Sequence, residues 1–466
     1  MSFLPVILWT DAMIFLLIAV GVSGAWWIRQ RPHLLLPWRR LAQSRVGMVS
    51  LLVLSLFVLV GLLDSLHYRP ALADKNNGQT VYSPEVLSAL DALVGKLRTQ
   101  NEKTYSAPMA AYLYAKESMT NAAGQVVREF PRLKYGAAHL ADPQRELVGD
   151  AVKRALTGAG IGLALGWGLV LAMGWLLSRF FTRPQPGAPT YRAHRALQFT
   201  TVILATCIGA IVSLALAYHV LGTDKVGQDV LYLSLKSIRT GLVIGTITTL
   251  VMLPFALLLG IAAGFLRGWV DDAIQYVYTV LSSIPSVLLI AAAVLMMQVV
   301  IETHPEWFAT SASRADMRLL FLCLILGVTS WTSLCRLLRG ETLKLRELEY
   351  IQAAQAFGVS SLRIMTRHIL PNVMHIVLIS VVMDFSGLVL AEAVLSYVGV
   401  GVDPSTMSFG TLINAARMEM GREPMVWWTL ASAFGFMLLL VLAANLFADA
   451  MRDAFDPRLN RTEAVA

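Results

Sequence analysis

Long apolar runs alternate with polar loops along the whole chain. A helix that crosses a bilayer needs about 20 mostly apolar residues, and nine windows approach or exceed this length. The predicted spans are 6–28, 46–63, 156–178, 197–219, 241–265, 278–300, 318–336, 375–399 and 426–448. The pattern predicts an all-α, polytopic membrane protein with about nine transmembrane helices.

Basic residues crowd four of the regions between or after these spans, and loops rich in Lys and Arg stay on the cytoplasmic side. These residues are Arg29, Arg31, Arg39, Arg40 and Arg45; Arg179, Arg183, Arg192 and Arg195; Arg336, Arg339, Lys344, Arg346, Arg363 and Arg367; and Arg452 and Arg458. The four assignments agree only if the N-terminus lies outside and the C-terminus in the cytoplasm. The first ten residues lack a basic n-region, so we expect a retained span and not a cleaved signal peptide.

Composition agrees with a membrane protein, because 56% of the 466 residues are hydrophobic and only 15% are charged, against about 25% in soluble domains. The net charge of +8 follows the cytoplasmic loops, so no nucleic-acid partner is expected. Cys207, Cys323 and Cys335 lie in apolar runs and are interpreted as core residues without disulfides.

Motifs for catalysis are missing from the sequence. It contains neither a phosphate-binding Gly-x-x-x-x-Gly-Lys-Ser/Thr loop nor a His-Glu-x-x-His pair, and its scattered histidines lie mostly at span ends or in loops. We therefore expect no catalytic residue, no metal site and no cofactor, and the chain itself should not hydrolyse ATP.

The segment between the second and third spans is too polar to cross a membrane. Ser83 and Pro84 suit the N-cap and first position of a helix, and the apolar residues that follow have helical spacing. Those residues are Leu87, Leu90, Val94 and Leu97. The sequence predicts one short amphipathic helix here and irregular structure over 121–150.

Three glycines, Gly158, Gly162 and Gly166, lie four residues apart in the third span. Small residues at this spacing let two membrane helices approach closely. The alternative is the ordinary enrichment of glycine in membrane helices, and the sequence leaves both open. The hypothesis is that the extra spans brace the outer segment.

The polar loop over 341–372 has its own helical pattern. Leu343 to Phe357 contains no Pro or Gly and predicts a helix that Gly358 ends. A second helix is expected from Ser360-Ser361 to His368, and Pro371 marks entry to the next span. The residues alone fit either a helical hairpin that docks on another surface through small side chains, or an amphipathic loop on the membrane.

One stretch of this loop resembles a known motif. It consists of Glu349-Tyr350-Ile351-Gln352-Ala353-Ala354, then Gly358, then Arg367-His368-Ile369-Leu370-Pro371-Asn372. It is similar to the EAA loop of ABC importer permeases, in the form of the C-type subunit of oligopeptide/dipeptide permeases, where the loop forms a coupling helix seated in a groove of the ATPase. The resemblance implies ATPase coupling by Glu349, Tyr350, Gln352, Ala353, Ala354, Gly358, Arg367, Leu370 and Pro371. Gln352 stands where the general motif often has Glu.

Further motifs extend the resemblance over about 221–460. They are Leu221-Gly222-Thr223-Asp224, Gly227-Gln228-Asp229-Val230, Gly264-Phe265, Gly268–Asp271, Trp331–Arg336, Leu390–Ala393, Leu395–Gly399, Ser408–Gly410, Asn445-Leu446 and Asp456-Pro457-Arg458. Gln228 replaces the usual Arg. The motif formed by Gly222, Asp224 and Asp229 should rim the outer face, although both aspartates also suit helix capping, which needs no substrate.

The resemblance implies a type I importer permease core with an extracytoplasmic insert. The expected parts are an N-terminal span and basic loop (1–45), a first core span (46–63), the insert (64–155), an inserted transmembrane hairpin (156–219) and the permease core (220–460), whose coupling loop is 341–372.

Asp384 and Glu392 are charged residues inside the eighth predicted span. A carboxylate in hydrocarbon costs at least about 2.5 kcal/mol, so each should face a cavity or a partner. Both are assigned to the translocation pathway. Glu392 belongs to the family pattern and can be structural, whereas Asp384 departs from it. Asp384 either lines the translocation pathway and contacts a cationic group of the substrate, or forms a polar link to another helix.

The resemblance implies a permease subunit of an ATP-driven importer in the bacterial inner membrane, with peptides as cargo. Its implied partners are a second permease subunit, two ATP-binding subunits, an extracytoplasmic substrate-binding protein and membrane lipid. Alternatives are another solute such as nickel, a secondary transporter, whose repeated bundles are not found, and a scaffold that holds partners through the outer segment.

Overall fold

The structure is a computed structural model that describes residues 3–72, 81–120, 126–180, 189–308 and 310–455. Arg183 and the motif Asp456-Pro457-Arg458, both used in the sequence analysis, lie outside these residues. The helices are α1 (Trp9–Arg29), α2 (Pro32–Leu41), α3 (Arg45–Ser65), α4 (Ala89–Leu93), α5 (Gly95–Thr99), α6 (Pro143–Phe180), α7 (Pro189–Ala215), α8 (Val230–Leu266), α9 (Gly268–Ser283), α10 (Ser286–Thr303), α11 (Ser311–Ser330), α12 (Thr332–Arg346), α13 (Glu349–Ala356), α14 (Ser361–Ile364), α15 (Leu370–Val398), α16 (Phe409–Glu419) and α17 (Trp428–Phe455).

Among the described residues, nine helical segments are long and apolar enough to cross a membrane, as predicted. They are formed by α1, α3, α6, α7, α8, α10, α11 with α12, α14 with α15, and α17. Several bounds differ from the prediction, because hydropathy marks the apolar part of a helix and not its ends. The predicted span 278–300 is broken before Pro285, where Ile284 is extended; a residue that precedes proline is disfavoured in the helical region.

The segment between α3 and α6, called the outer segment after its predicted side of the membrane, forms two small antiparallel sheets, which the sequence pattern did not predict; one strand of the first sheet, β1, comes from the N-terminus. The strands are β1 (Phe3–Val6), β2 (His67–Leu72), β3 (Val81–Tyr82), β4 (Leu87–Ser88), β5 (Glu117–Thr120) and β6 (Val126–Glu129). Strand β2 pairs with β1, β3 and β4, with Val6 opposite His67 and Tyr68 opposite Leu87, and β5 pairs with β6.

Two predictions for this segment were wrong. The helix expected from Ser83 begins instead at Ala89, because Ser88 forms a capping box with Asp91, and a break at Val94 divides it into α4 and α5. The stretch 121–150 is not irregular throughout, since β6 and the first turns of α6 lie in it; residues 121–125 are outside the described part.

The chain forms two compact units. The first comprises the described residues of 1–6, 38–240 and 407–447, and the second those of 7–37, 241–406 and 448–466. The core of the second unit includes Cys323 and Cys335, which are buried and unpaired as predicted, whereas Cys207 is exposed on α7 and is not a core residue.

Helices α6 and α7 pack closely along the glycine stripe. A Cβ atom added to Gly158 or Gly162 would overlap the carbonyl oxygen of Gly209 or Ala205, and one added to Gly166 would lie 3.0 Å from Val202 Cα. By contrast, Gly160 has nothing within 4 Å of that position. The structure therefore favours close helix packing over the compositional explanation.

Replacing Gly162 with leucine should destabilise the α6–α7 hairpin, because the new side chain has to displace the backbone of Ala205, at a cost of roughly 1–3 kcal/mol or more. The measurement is the thermal unfolding midpoint of the detergent-solubilised protein. Gly160→Leu adds the same side chain to the open face of the same helix and should leave the midpoint nearly unchanged. Equal midpoints for the two variants would contradict the packing.

Candidate functional site

The loop between α12 and α15 begins with a helix that is interrupted, not continuous as predicted. Helix α12 ends at Arg346, Leu348 is extended with φ −71° and ψ 140°, and α13 starts at Glu349. The break turns the chain so that Ile351 points into the core of the second unit, where it is fully buried.

Gly358 ends α13, as the sequence predicted. Its φ is +73°, in the left-handed region that favours glycine. The Gly358 amide donates to the Gln355 carbonyl at 2.9 Å, and the Val359 amide to the Ala354 carbonyl at 3.1 Å. These two bonds form a Schellman motif, which fixes the direction in which the chain leaves α13.

The second arm of the loop continues into the next span without a break. After α14, residues Met365–Ile369 form a π-helical turn that leads directly into α15. Pro371 has no amide hydrogen, and in an ordinary α-helix its ring clashes with the carbonyl group four residues earlier. The π-helical turn widens the helix just before the proline. Pro371 is the second residue of α15 and marks the entry to this span, as predicted, while the π-helical turn before it keeps the chain helical through that point.

Asn372 joins the two arms. Its side-chain amide donates to the His368 carbonyl at 2.7 Å and to the Tyr350 hydroxyl at 3.2 Å. Tyr350 on α13 and Asn372 on α15 are thereby linked across the loop. Tyr350 and Asn372, two positions of the resembling motif, therefore help to hold the two arms of the loop together.

The loop has a buried base and an apolar exposed tip. Ile351, Ile364 and Ile369 are fully buried, whereas Phe357 is 85% and Leu362 68% exposed. The loop tip is defined here as the exposed residues Glu349, Tyr350, Gln352, Ala353, Phe357 and Leu362. Exposed apolar patches of this kind are typical of protein contact sites.

Ion pairs and a hydrogen bond to the backbone hold the base of the loop on α8 and α9. The Arg339 guanidinium makes a two-pronged contact with Asp271, at 2.6 and 2.7 Å. Arg346 donates to the Phe265 carbonyl at 2.8 Å, and Arg267 pairs with Glu347 at 2.5 Å. Paired N–H donors fix orientation as well as distance, so α12 is held rigidly against its neighbours in the second unit.

The two carboxylates on α15 have different surroundings. Glu392 is buried and accepts a hydrogen bond from the Ser396 hydroxyl at 2.7 Å, which agrees with a structural role. Asp384 is half-buried and makes no hydrogen bond or ion pair with any residue that the structure describes. The polar link to another helix that was considered for Asp384 is therefore not found in the described part of the chain.

The aspartates of the outer motif both cap backbone turns. Asp224 accepts from the amides of Val226 and Gln228, at 2.9 and 2.8 Å. Asp229 accepts from the amides of Leu231 and Tyr232 at the start of α8, at 2.8 and 3.3 Å. The capping interpretation therefore has direct structural support.

The outer segment docks on this motif through backbone contacts that the sequence did not reveal. The Glu102 amide donates to the Gly227 carbonyl at 2.9 Å, and the Thr223 amide donates to the Ser106 carbonyl at 3.1 Å. Gly227 has φ +77°, and a Cβ atom there would overlap the Glu102 carbonyl oxygen. Backbone contacts leave no signature in side-chain pattern, apart from the glycine that permits the approach.

A buried charged cluster lies beneath these contacts. His219 Nδ1 is 2.7 Å from Asp229, and its Nε2 is 3.5 Å from Glu102. Glu102 also accepts three backbone amide bonds, from Lys134, Tyr135 and Gly136. The sequence placed the histidines at interfaces, but His219 is 4% exposed and joins the outer segment to the motif.

The cluster shifts the pKa of both titrating groups. Burial disfavours the charged imidazolium of His219, but its bonds to Asp229 and Glu102 outweigh burial and raise its pKa from 6.5 to about 9. Burial likewise opposes ionisation of Glu102, yet the bonds from His219 and the backbone amides lower its pKa from 4.5 to about 2.

The docking of the outer segment should therefore depend on pH. The contribution of His219 is complete below about pH 6.5 and is lost as pH rises through about 9; that of Glu102 is complete above about pH 4.5 and is lost as pH falls through about 2. Hydrogen exchange at the Glu102 amide, corrected for intrinsic rate, should show at least about tenfold less protection at pH 10 than at pH 6, a change equivalent to one pKa unit.

His219→Gln should abolish this alkaline loss, because the titrating group is gone. His139→Gln removes a different histidine–carboxylate pair, that with Asp150, and should preserve the loss. Equal protection of the wild-type protein at the two pH values would contradict the assignment.

Comparison with known proteins identifies the second half of the chain. The profile of the family described as "Binding-protein-dependent transport system inner membrane component" matches residues 256–461. The oligopeptide transport system permease protein OppC of Mycobacterium tuberculosis is 34% identical over 239 residues, which cover 51% of this chain and 76% of the relative.

Two further relatives carry related names. The glutathione transport system permease protein GsiD of Pectobacterium atrosepticum is 32% identical over 241 residues, covering 52% of this chain and 73% of the relative. The dipeptide transport system permease protein DppC of Bacillus subtilis is 26% identical over 245 residues, covering 53% and 70%. The resemblance that the coupling loop suggested is thus confirmed, and the chain belongs to the family of binding-protein-dependent transport system inner membrane components.

Proposed function

We propose that this chain is a permease subunit of an ATP-driven importer for di- or oligopeptides. The observation that carries the proposal is the loop of 341–372, which has a buried base and an apolar exposed tip. The peptide class is supported by the relatives, since those compared above are permeases for oligopeptides, a dipeptide or glutathione.

The loop tip is the proposed contact with an ATP-binding subunit. Its aromatic and aliphatic side chains are exposed in this chain, and burying them against a partner is favourable. The small side chain of Ala353 is exposed on α13, and it lets a partner surface come close to the helix backbone. This arrangement favours a docking helix over a loop that rests on the membrane.

The coupling helix acts as a rigid lever in the proposed mechanism. ATP closes two ATP-binding subunits, and the movement passes from α13 into α12 and α15 on either side. The contacts of Arg339 with Asp271 and of Asn372 with Tyr350 keep this assembly from bending. The opening and closing of the transport pathway is then a two-state transition, and nucleotide binding and substrate binding bias it from opposite sides of the membrane.

The proposed assembly contains a second permease subunit, two ATP-binding subunits and an extracytoplasmic substrate-binding protein. The charge bias of the loops supports an N-terminus outside and a C-terminus in the cytoplasm. In this layout 220–460 is the permease core, 64–155 is an insert on the outer face and 156–219 is an added transmembrane hairpin. The docking of Glu102 and Ser106 on the 222–229 motif supports a bracing role for the insert.

Asp384 is the proposed pathway residue. A half-buried carboxylate without a partner in the described part of the chain suits a transient partner, and the free α-amino group of a peptide has the complementary charge. Glu392, which is already bonded to Ser396, is assigned to the structure of the pathway wall and not to substrate contact.

Ala353→Arg should release the ATP-binding subunits, because a long charged side chain would hold a partner surface away from α13. The measurement is the amount of ATP-binding subunit that co-purifies with the permease. Ala138→Arg makes the same change at an exposed alanine of the outer segment and should leave co-purification unchanged. Full retention of the ATP-binding subunits in Ala353→Arg would contradict the docking assignment.

Asp384→Asn should reduce uptake of peptides with a free amino terminus by about tenfold or more, because a charge-assisted hydrogen bond contributes roughly 1.5–3 kcal/mol. The measurement is peptide uptake into proteoliposomes that contain the whole complex. Amino-terminally acetylated peptide is the matched control, since its uptake should be equal in the variant and the wild-type protein. A parallel loss of uptake and of complex assembly would favour a structural role.

A further inference from the structure

The first unit contains an apolar cavity of about 700 Å³ that the proposed transport function does not use. Its walls come from the spanning helices α3, α7, α8 and α17, with Phe57, Ile211, Leu235 and Phe436 among the lining residues. Helices α4 and α5 form the remaining side. The volume falls within the range of about 300–1,000 Å³ that is usual for small-molecule sites.

Most of this cavity is built by parts of the chain that lie outside the family match. Helix α7 belongs to the added hairpin, and α4 and α5 belong to the outer segment, all of them before residue 256, where the match begins. The cavity exists because α7 packs beside α3 while the outer segment covers their ends. It is therefore a feature of the added parts of this protein.

The chemistry of the walls determines which ligand fits. Every side chain that lines the cavity is apolar except that of Lys96. A peptide would leave its backbone amides and carbonyls without partners there, at a cost of several kcal/mol for each group. A hydrocarbon chain has no polar groups to satisfy and loses nothing on entry.

Lys96 gives one end of the cavity a charge. Its side chain is exposed, and its ammonium group has no hydrogen bond or ion pair with the described residues. The nearby carboxylates Asp64 and Asp91 are both engaged by Lys236, at 2.6 and 3.1 Å. The free ammonium is therefore available to an anion outside the protein.

The surroundings of Lys96 resemble a membrane interface. Leu93, three residues before it, is 69% exposed, and α4 and α5 follow the end of the spanning helix α3 through the short β-sheet. Leu93 and Lys96 thus combine an exposed apolar and a basic side chain, the two kinds of side chain with which interfacial helices contact lipid.

We propose that this cavity binds an anionic phospholipid, with one acyl chain between α3, α7 and α8 and the headgroup phosphate at Lys96. The apolar walls match the chain and the lysine matches the phosphate. The bound lipid joins the added hairpin to the helices of the first unit, because it fills space that would otherwise lack packing contacts.

The test uses the whole transport complex in nanodiscs of phosphatidylcholine that contain a trace of phosphatidylglycerol with a photoreactive acyl chain. After illumination, mass spectrometry locates the labelled peptides. The expected result is label on α3 and α7 at cavity-lining residues, and excess unlabelled phosphatidylglycerol should compete it away.

Two tryptophan variants of α7 separate the cavity from the general lipid surface. Ile211→Trp fills the cavity and should reduce this label by about tenfold, the loss of affinity that corresponds to roughly two buried methylene groups. Ile203→Trp is the matched control, because Ile203 lies on the same helix, has a similar exposure of 44% against 41%, and does not line the cavity. Equal labelling of the two variants means contact with bulk lipid only and overturns the proposal.

A second pair of variants tests the headgroup and does not disturb packing. Lys96→Gln should weaken competition by phosphatidylglycerol, whereas Lys153→Gln, at an exposed lysine of α6 that does not line the cavity, should not. Unchanged competition in Lys96→Gln would refute the assignment of the phosphate to this residue. A photoreactive amino acid in place of Val212 should form an adduct with lipid mass, and an adduct with another subunit instead would show that a protein helix occupies the cavity.

Discussion

Backbone hydrogen bonding in a medium without water is the constraint on which the rest of this structure depends. In hydrocarbon each amide and carbonyl has to be satisfied within its own helix, so the chain crosses the membrane only as helices and interrupts them at a few positions. One such interruption precedes Pro285, where α9 ends and α10 begins. At Pro371 a π-helical turn keeps the helix continuous, and Asn372 supplies a side-chain donor to the His368 carbonyl.

This continuity makes the loop of 341–372 rigid. The loop leaves one helix by a sharp break at Leu348 and returns through a helix that runs without interruption into α15. Buried isoleucines anchor it from beneath, and arginine contacts fix its first arm to α8 and α9. If the exposed tip is displaced, the loop can deform little, and α12 and α15 have to move with it.

The outer segment follows a different principle, because it lies outside the predicted spans. Short strands, backbone pairing and buried charge hold it together. His219, Asp229 and Glu102 form a cluster in which burial is tolerated only because each charge has a partner. The same segment, together with α7, lines an apolar cavity with one lysine at its edge.

The sequence by itself determined the number of spans, the family and the helix end at Gly358, because hydropathy, motif spacing and glycine conformation are local properties. It also suggested the close packing of α6 and α7 through the spacing of Gly158, Gly162 and Gly166. Only the tertiary structure showed that Ser88, and not Ser83, caps the helix of the outer segment. It also showed that the helix breaks before Glu349 and that His219 is buried between two carboxylates. The burial of His219 depends on which distant segments meet, and the pairing of Glu102 with Gly227 leaves no periodic pattern in either segment. The capping box of Ser88 with Asp91 is a local motif that the sequence pattern did not reveal.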